Sequence, residues 1–176
     1  IFTPLLDAIS KACGKPYPKD DSQEAIAFRV IADHVRAVAF SIADGQLPSN
    51  TGAGYVIRRM LRRATRFGRV LGMHEPFIHK LVPTLGEVMG AAFPEIVQQQ
   101  RHVMGVIEAE ETSFGQTLDR GLEIFAQMVA KPETTSDQQL SGADAFKLYD
   151  TYGFPVDLTR LMCEERGLSV DESGFE

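Results

Sequence analysis

The chain has no tryptophan and only two cysteines, Cys13 and Cys163, in 176 residues. Two thiols without CxxC spacing exclude a disulfide framework and fit a reduced, cytoplasmic setting. The four histidines, His34, His74, His79 and His102, form no HxxxH or HExxH pair. No cysteine cluster completes a zinc set either, so no metal site is expected. Nowhere does the chain approach the ~20 consecutive apolar residues that cross a bilayer, and no charged-then-apolar leader opens it, so no membrane partner is expected. The first residue is Ile1 rather than Met, and the last four, Ser173 to Glu176, carry no closing signal. This reads as a piece of a longer polypeptide.

Acidic charge is also missing, but only locally. Between Asp44 and Glu75 there is no carboxylate, while Arg58, Arg59, Arg62, Arg63, Arg66 and Arg69 all lie there. Residues 45–74 therefore carry +6 in a chain of net charge −6, which leaves −12 for the remainder. Such asymmetry points to a polyanionic partner held by one surface of an acidic protein. The rest of the composition, 44% hydrophobic and 24% charged, is that of a globular protein with a genuine core.

Periodicity is helical almost throughout. Thr3 and Pro4 open a short helix carrying Leu5, Leu6, Ile9 and Ala12, stopped by Gly14. Asp21 with Glu24 resembles a capping box for a helix to about Ala43, whose buried stripe is Ile26, Val30, Ile31, Val35, Val38 and Ile42. Residues 44–54 hold three glycines and a proline and must form a shaped loop. A helix from about Tyr55 to Leu71 follows, apolar at Ile57, Leu61, Ala64 and Leu71. The next starts at Pro76 and buries Phe77, Leu81, Leu85, Val88 and Met89. Pro94 opens the longest pattern, with Val103, Ile107, Glu110, Phe114, Leu118, Leu122 and Phe125, and a kink is expected at Gly105, Gly115 or Gly121. Residues 131–142 have linker chemistry. Ser141 with Asp144 caps another helix, ending at Gly153, and Pro155 starts a last one to Gly167. Strand signal is confined to two or three residues near Leu140 or Val170. The expectation is an all-α fold: an irregular helical bundle over 1–130 with one long helix at about 94–130, a linker at 131–142, and a small helical subdomain at 143–176.

Three features could carry chemistry. At 3.6 residues per turn, Arg58, Arg62, Arg66 and Arg69 align along the helix, flanked by Arg59 and Arg63. Like charges at i, i+4 cost a few tenths of a kcal/mol per pair, and phosphate oxygens would offset that. Pairing with the chain's own carboxylates is the alternative. Asn50, in the preceding loop, carries a donor and an acceptor in one flat amide, which suits a base edge; alternatively Ser49 or Asn50 caps a helix. Asp150, among the aromatics of residues 149–155, is an acceptor-only group that suits an exocyclic amine, or it pairs with an arginine at a helix end. No Ser-His-Asp or Cys-His set is present, and the run Glu108-Ala109-Glu110-Glu111 reads as a solvated helix face.

The segment IADHVRAVAFSIADGQLPSN (31–50), followed by GYVIRRMLRRA (54–64), closely resembles the middle region of alanyl-tRNA synthetases. AFKLYDTYGFPVDLT (145–159) resembles that family's next signature, in the same order. The similarity runs from about Asp21 to Glu176. It implies a tRNA-recognition domain of a class II aminoacyl-tRNA synthetase that binds the tRNA(Ala) acceptor stem. By the same resemblance, Asn50 and Asp150 read a G·U wobble pair, and Arg58, Arg59, Arg62, Arg63, Arg66 and Arg69 hold backbone phosphates. ATP, Mg and Zn would belong to domains absent here, as would catalysis, and the other partner would be the parent enzyme's own catalytic domain. Where many members carry GluGlyArgGly or similar after Pro48-Ser49-Asn50, this chain has Thr51, Gly52, Ala53 and Gly54, so a charged pair is missing from the loop. The competing expectation is a helical scaffold or interdomain docking module without RNA contact.

Overall fold

A computed structural model describes residues 2–175. Among these, α-helices account for nearly all regular structure, and the only strands are two of two residues each. The all-α expectation holds. The chain divides into two compact units, Ile1–Gly115 and Gln116–Glu176.

The first unit contains α1 (Phe2–Cys13), α2 (Gln23–Ala43), α3 (Gly52–Val70), a 3-10 turn at Ile78–Leu81, α4 (Val82–Met89), α5 (Pro94–Gln98) and the first part of α6 (Gln100–Val129). Its α2 buries Ile31, Val35, Val38 and Ile42, as the stripe predicts. Ile26 and Val30 are only half-buried, and Ala25, Ala27, Phe28, Ala32 and Ala39 complete the face instead. The cap of α2 lies one residue later than expected. Ser22 accepts from the Ala25 N–H at 3.2 Å, and the Asp20 carboxylate in turn accepts from the Ser22 hydroxyl at 2.6 Å. A hydroxyl already held by a neighbouring carboxylate is presented ready to cap, which is why Ser22 and not Asp21 caps the start of the helix.

Two expected helices begin differently. The segment after Pro76 starts as a 3-10 turn at Ile78 and becomes α-helical only at Val82, with Pro83 in the first turn, where its missing N–H costs nothing. The long pattern from Pro94 breaks at Gln99, not at a glycine. There Gln99 closes the short α5 and donates from its side-chain amide to the Ala43 carbonyl at 2.7 Å. From Gln100 to Val129 every residue is helical, including Gly105, Gly115 and Gly121.

The second unit takes the remainder of α6, then α7 (Pro132–Asp137), β1 (Gln139–Leu140), α8 (Gly142–Asp150), α9 (Val156–Glu164) and β2 (Ser169–Val170). Residues 131–142 thus carry a helix and a strand, and the division between units falls earlier, inside α6. The two strands pair in parallel, Gln139 with Ser169 and Leu140 with Val170. Ser141 caps α8 as expected, accepting from the Asp144 N–H at 3.2 Å. Leu118, Phe125, Leu140, Leu148, Phe154, Leu158 and Met162 form the core. The Phe154 ring lies where a side chain at Gly121 would stand, 1.9 Å from an ideal Cβ.

Candidate nucleic-acid interface

The loop before α3 is shaped by short local bonds. Gly45, at φ +91°, turns the chain out of α2 in the left-handed conformation that glycine adopts without strain. Further on, the Ser49 N–H donates to the Gly54 carbonyl at 3.0 Å, and its hydroxyl donates to the Thr51 carbonyl at 2.8 Å. Gly54 tolerates this only because it has no side chain: a Cβ there would stand 2.3 Å from Ser49 Oγ and 2.4 Å from the Leu47 carbonyl oxygen. The loop is therefore pressed against the first turn of α3. The N-cap residue is Thr51, whose side chain makes no capping bond, so neither Ser49 nor Asn50 serves as the cap.

Asn50 is exposed at the tip of this loop. Its Oδ1 accepts from Arg58 Nη1 at 2.5 Å. The other edge of the same guanidinium is held by Glu110 of α6, Nε to Oε2 at 3.1 Å and Nη2 to Oε1 at 2.6 Å. Arg58 and Glu110 are 20% and 22% exposed, so this bidentate pair is partly shielded from water. Arginine donates only, which settles the orientation of the amide: its oxygen faces Arg58, and its Nδ2 hydrogens are the outward group.

The six arginines of α3 do not form one uniform surface. Arg58 is committed to Glu110 and Asn50. Arg66, expected on the phosphate-facing line, is only 8% exposed and lies over the Phe67 ring at 4.8 Å. This departs from the outward position the helical spacing suggests, because the end of α3 buries Ala64, Thr65, Phe67 and Gly68 together and Arg66 goes in with them. Arg59 is exposed and lies over the Tyr55 ring at 5.8 Å. Arg62 is half-buried over Phe114 at 4.9 Å, and Arg63 is also half-buried. Arg69, half-buried too, donates to the Met73 carbonyl at 2.9 Å.

The acidic run 108–111 is not a uniformly solvated face. Glu110 holds Arg58, and Glu111 is 2% exposed. Its two oxygens accept from the Phe77 and Ile78 N–H groups at 3.0 and 3.1 Å, capping the 3-10 turn from another helix. Burial pushes its carboxyl up to about 7, against the pull of those two N–H groups and of Arg69 and Lys80. A signal for both residues was present. Glu110 and Glu111 fall three and four residues after Ile107, and four and three before Phe114, inside the buried stripe.

In the second unit, Asp150 is exposed and is the last residue of α8. It has no hydrogen-bond or ion-pair partner among the described residues. Exposed Phe146 and Tyr149 precede it, each edge-on to Phe175 at ring distances of 6.1 and 5.9 Å. Gly153 (φ +65°) and the buried Phe154 then turn the chain back into the core. The thiol of Cys163 is buried and pushed up to about 11 by desolvation, so it is unreactive at neutral pH. Among the described residues no cluster of three or more His, Cys, Asp or Glu could hold a metal ion, and no helix is long and apolar enough to cross a membrane.

A family model described as tRNA synthetases class II (A) matches residues 1–176. The Alanine–tRNA ligase of Chlorobium chlorochromatii is 51% identical over 177 residues, covering 100% of this chain and 20% of the ligase. Those of Christiangramia forsetii and Bacillus cytotoxicus are 55% and 46% identical, again over 100% of this chain and 20% of each ligase. The chain thus spans about a fifth of the length of the curated relatives it matches.

Proposed function

The chain belongs to the class II tRNA synthetases (A), the family of the alanine–tRNA ligases, and on that premise we propose that it binds the acceptor stem of tRNA(Ala) for aminoacylation by the larger enzyme. Asn50 and Asp150 read the G·U wobble pair. Arginines of α3 hold backbone phosphates, which give position without sequence. A-form RNA presents a wide, shallow minor groove, and in a G·U wobble the guanine 2-amino group faces it without its usual cytosine partner. An exposed carboxylate, Asp150, is suited to accept from that amine. An amide whose oxygen is already taken, Asn50, is suited to donate to an acceptor of the groove. ATP, Mg and Zn would act in regions of the larger enzyme that this chain does not cover.

The observation that carries the reading is the orientation of Asn50: an exposed side chain held by a partly buried ion pair so that one defined donor faces outward. The scaffold reading draws support from that same ion pair, because it shows an arginine of α3 satisfied by the protein's own carboxylate. Binding to an acceptor-stem hairpin separates the two. We expect salt-sensitive binding that favours G·U over G·C, and loss of that preference in Asn50→Ala and in Asp150→Ala with little change in affinity for the G·C hairpin. Binding to neither hairpin at low or moderate salt would favour the scaffold.

A further inference from the structure

We infer that Glu110 is a positioning residue for base-pair reading, acting through Arg58 on the side chain of Asn50. The inference rests on the acceptor-stem reading above and adds a residue to it that lies about sixty positions from Asn50 in sequence.

A guanidinium has two edges that each present a pair of hydrogens. Glu110 occupies the Nε–Nη2 edge with both carboxylate oxygens, which fixes the plane and the rotamer of Arg58. The remaining Nη1 then faces Asn50 Oδ1. An unrestrained asparagine amide turns over at little cost, because its two ends are alike in size. Here the end facing Arg58 must be the oxygen, so the outward end is a donor. A base edge distinguishes these two states completely, since each good contact in one becomes a donor–donor or acceptor–acceptor clash in the other. Removing the Glu110 carboxylate releases Arg58 into its many rotamers and lets the amide turn. The groups that touch RNA stay present, but their pattern is no longer defined. The effect therefore falls on discrimination, not on general affinity.

The same removal has a predictable electrostatic side. Glu110 is a negative charge beside the proposed RNA-reading side chains, so its loss leaves a phosphate backbone no less attracted than before. A purely structural role would act differently, lowering stability and weakening both hairpins together.

The test compares the 176-residue chain with Glu110→Ala, Glu110→Gln and Asn50→Ala, and with the Glu110→Ala/Asn50→Ala double variant, on G·U and G·C acceptor-stem hairpins. Glu110→Ala is expected to reduce the G·U preference by about tenfold while affinity for the G·C hairpin is unchanged or slightly higher. Glu110→Gln keeps one acceptor for Arg58 and should retain part of the preference. In the Asn50→Ala background, Glu110→Ala should have no further effect on preference. An unchanged preference in Glu110→Ala, or an equal further loss in the Asn50→Ala background, overturns the inference. A second readout is independent of RNA. The Asn50 side-chain N–H2 resonances should show a rigid amide in the parent chain and a mobile one in Glu110→Ala; an equally rigid amide in both overturns the positioning claim on its own. A parent chain that shows no G·U preference, but in which Glu110→Ala mobilises the amide, overturns the reading of the base pair and leaves the positioning of Asn50 standing.

Discussion

A carboxylate on the last residue of a helix works against that helix, because the final carbonyls already concentrate negative charge there. Asp150 sits in that position on α8, exposed and without a partner among the described residues. Its retention at a cost in stability is what a binding role would require. Asp150→Asn should therefore raise the stability of the chain by about 0.3–1 kcal/mol, measured by urea unfolding, while abolishing the preference for a G·U hairpin. A variant that loses stability would show that Asp150 supports the fold instead. Gly54 makes the opposite point. A methyl group there meets the backbone carbonyl of Leu47 at 2.4 Å, which a rotamer change cannot relieve. Gly54→Ala should cost about 1–3 kcal/mol and displace the loop bearing Asn50, so that discrimination falls together with stability. Asn50 and Asp150 were singled out as candidates by family resemblance and the chemistry of their side chains. For Glu110 the sequence offered only its place in the stripe between Ile107 and Phe114, because a carboxylate within an acidic run reads as solvated until its partner, fifty-two residues away, is known.

At the scale of elements, local signals were readable wherever the chain satisfies itself. The stripe of α3 and the Ser141 cap depend on neighbours or on simple periodicity, as does the short strand signal near Leu140 or Val170; that the two segments pair with each other was not readable, since thirty residues separate them. The departures came where a distant group intervenes. Gln99 ends α5 by bonding to Ala43, and the turn at Ile78 is capped by Glu111 from α6. That second cap has a pH signature. The Glu111 carboxyl is raised from its ordinary 4.5 to about 7 in the folded chain. Below pH 4.5 it is protonated whether the chain is folded or not. Between 4.5 and 7 the folded state keeps a proton that the unfolded state has released, so this group's contribution falls as pH rises. Above 7 the full cost of holding a buried carboxylate is present, about 3 kcal/mol. Lys80 from the turn and Arg69 from α3 moderate that cost; His79 Nδ1 also faces the carboxyl, at 4.0 Å, but carries no charge in that pH range. His34 and His79, both lowered chiefly by burial, act in the other direction, their contribution being lost as pH falls below 6.5, and both side chains remain in any variant at position 111. The stability of Glu111→Gln relative to the parent chain should therefore rise from pH 4.5 to 7.5. A difference independent of pH, by urea unfolding at both values, would contradict the buried-carboxyl account.

For the whole molecule, the question is how an acidic protein of net charge −6 would hold the polyanion proposed for it. Charge counted along the sequence offers six arginines to the phosphates. The structure reduces that number, since Arg58 is joined to Glu110 and Arg66 is buried. Arg59, Arg62, Arg63 and Arg69 remain at the surface or half-buried. Each phosphate contact releases condensed counterions, so the slope of log affinity against log salt is about −0.7 to −0.9 per contact, taking single strands and B-DNA as brackets. Six contacts would give a slope of roughly −4 to −5, and four at most give one no steeper than roughly −3 to −4. The expected slope for hairpin binding lies within the second bound. Arg59→Ala should flatten it by about one contact's worth and weaken G·U and G·C hairpins equally. Arg58→Ala should leave the slope nearly unchanged and instead lose the preference, because its charge is already matched by Glu110. If Arg58→Ala flattens the slope as much as Arg59→Ala while preserving the preference, Arg58 is a phosphate clamp in the complex, and its bonds to Glu110 and Asn50 belong only to the unbound chain.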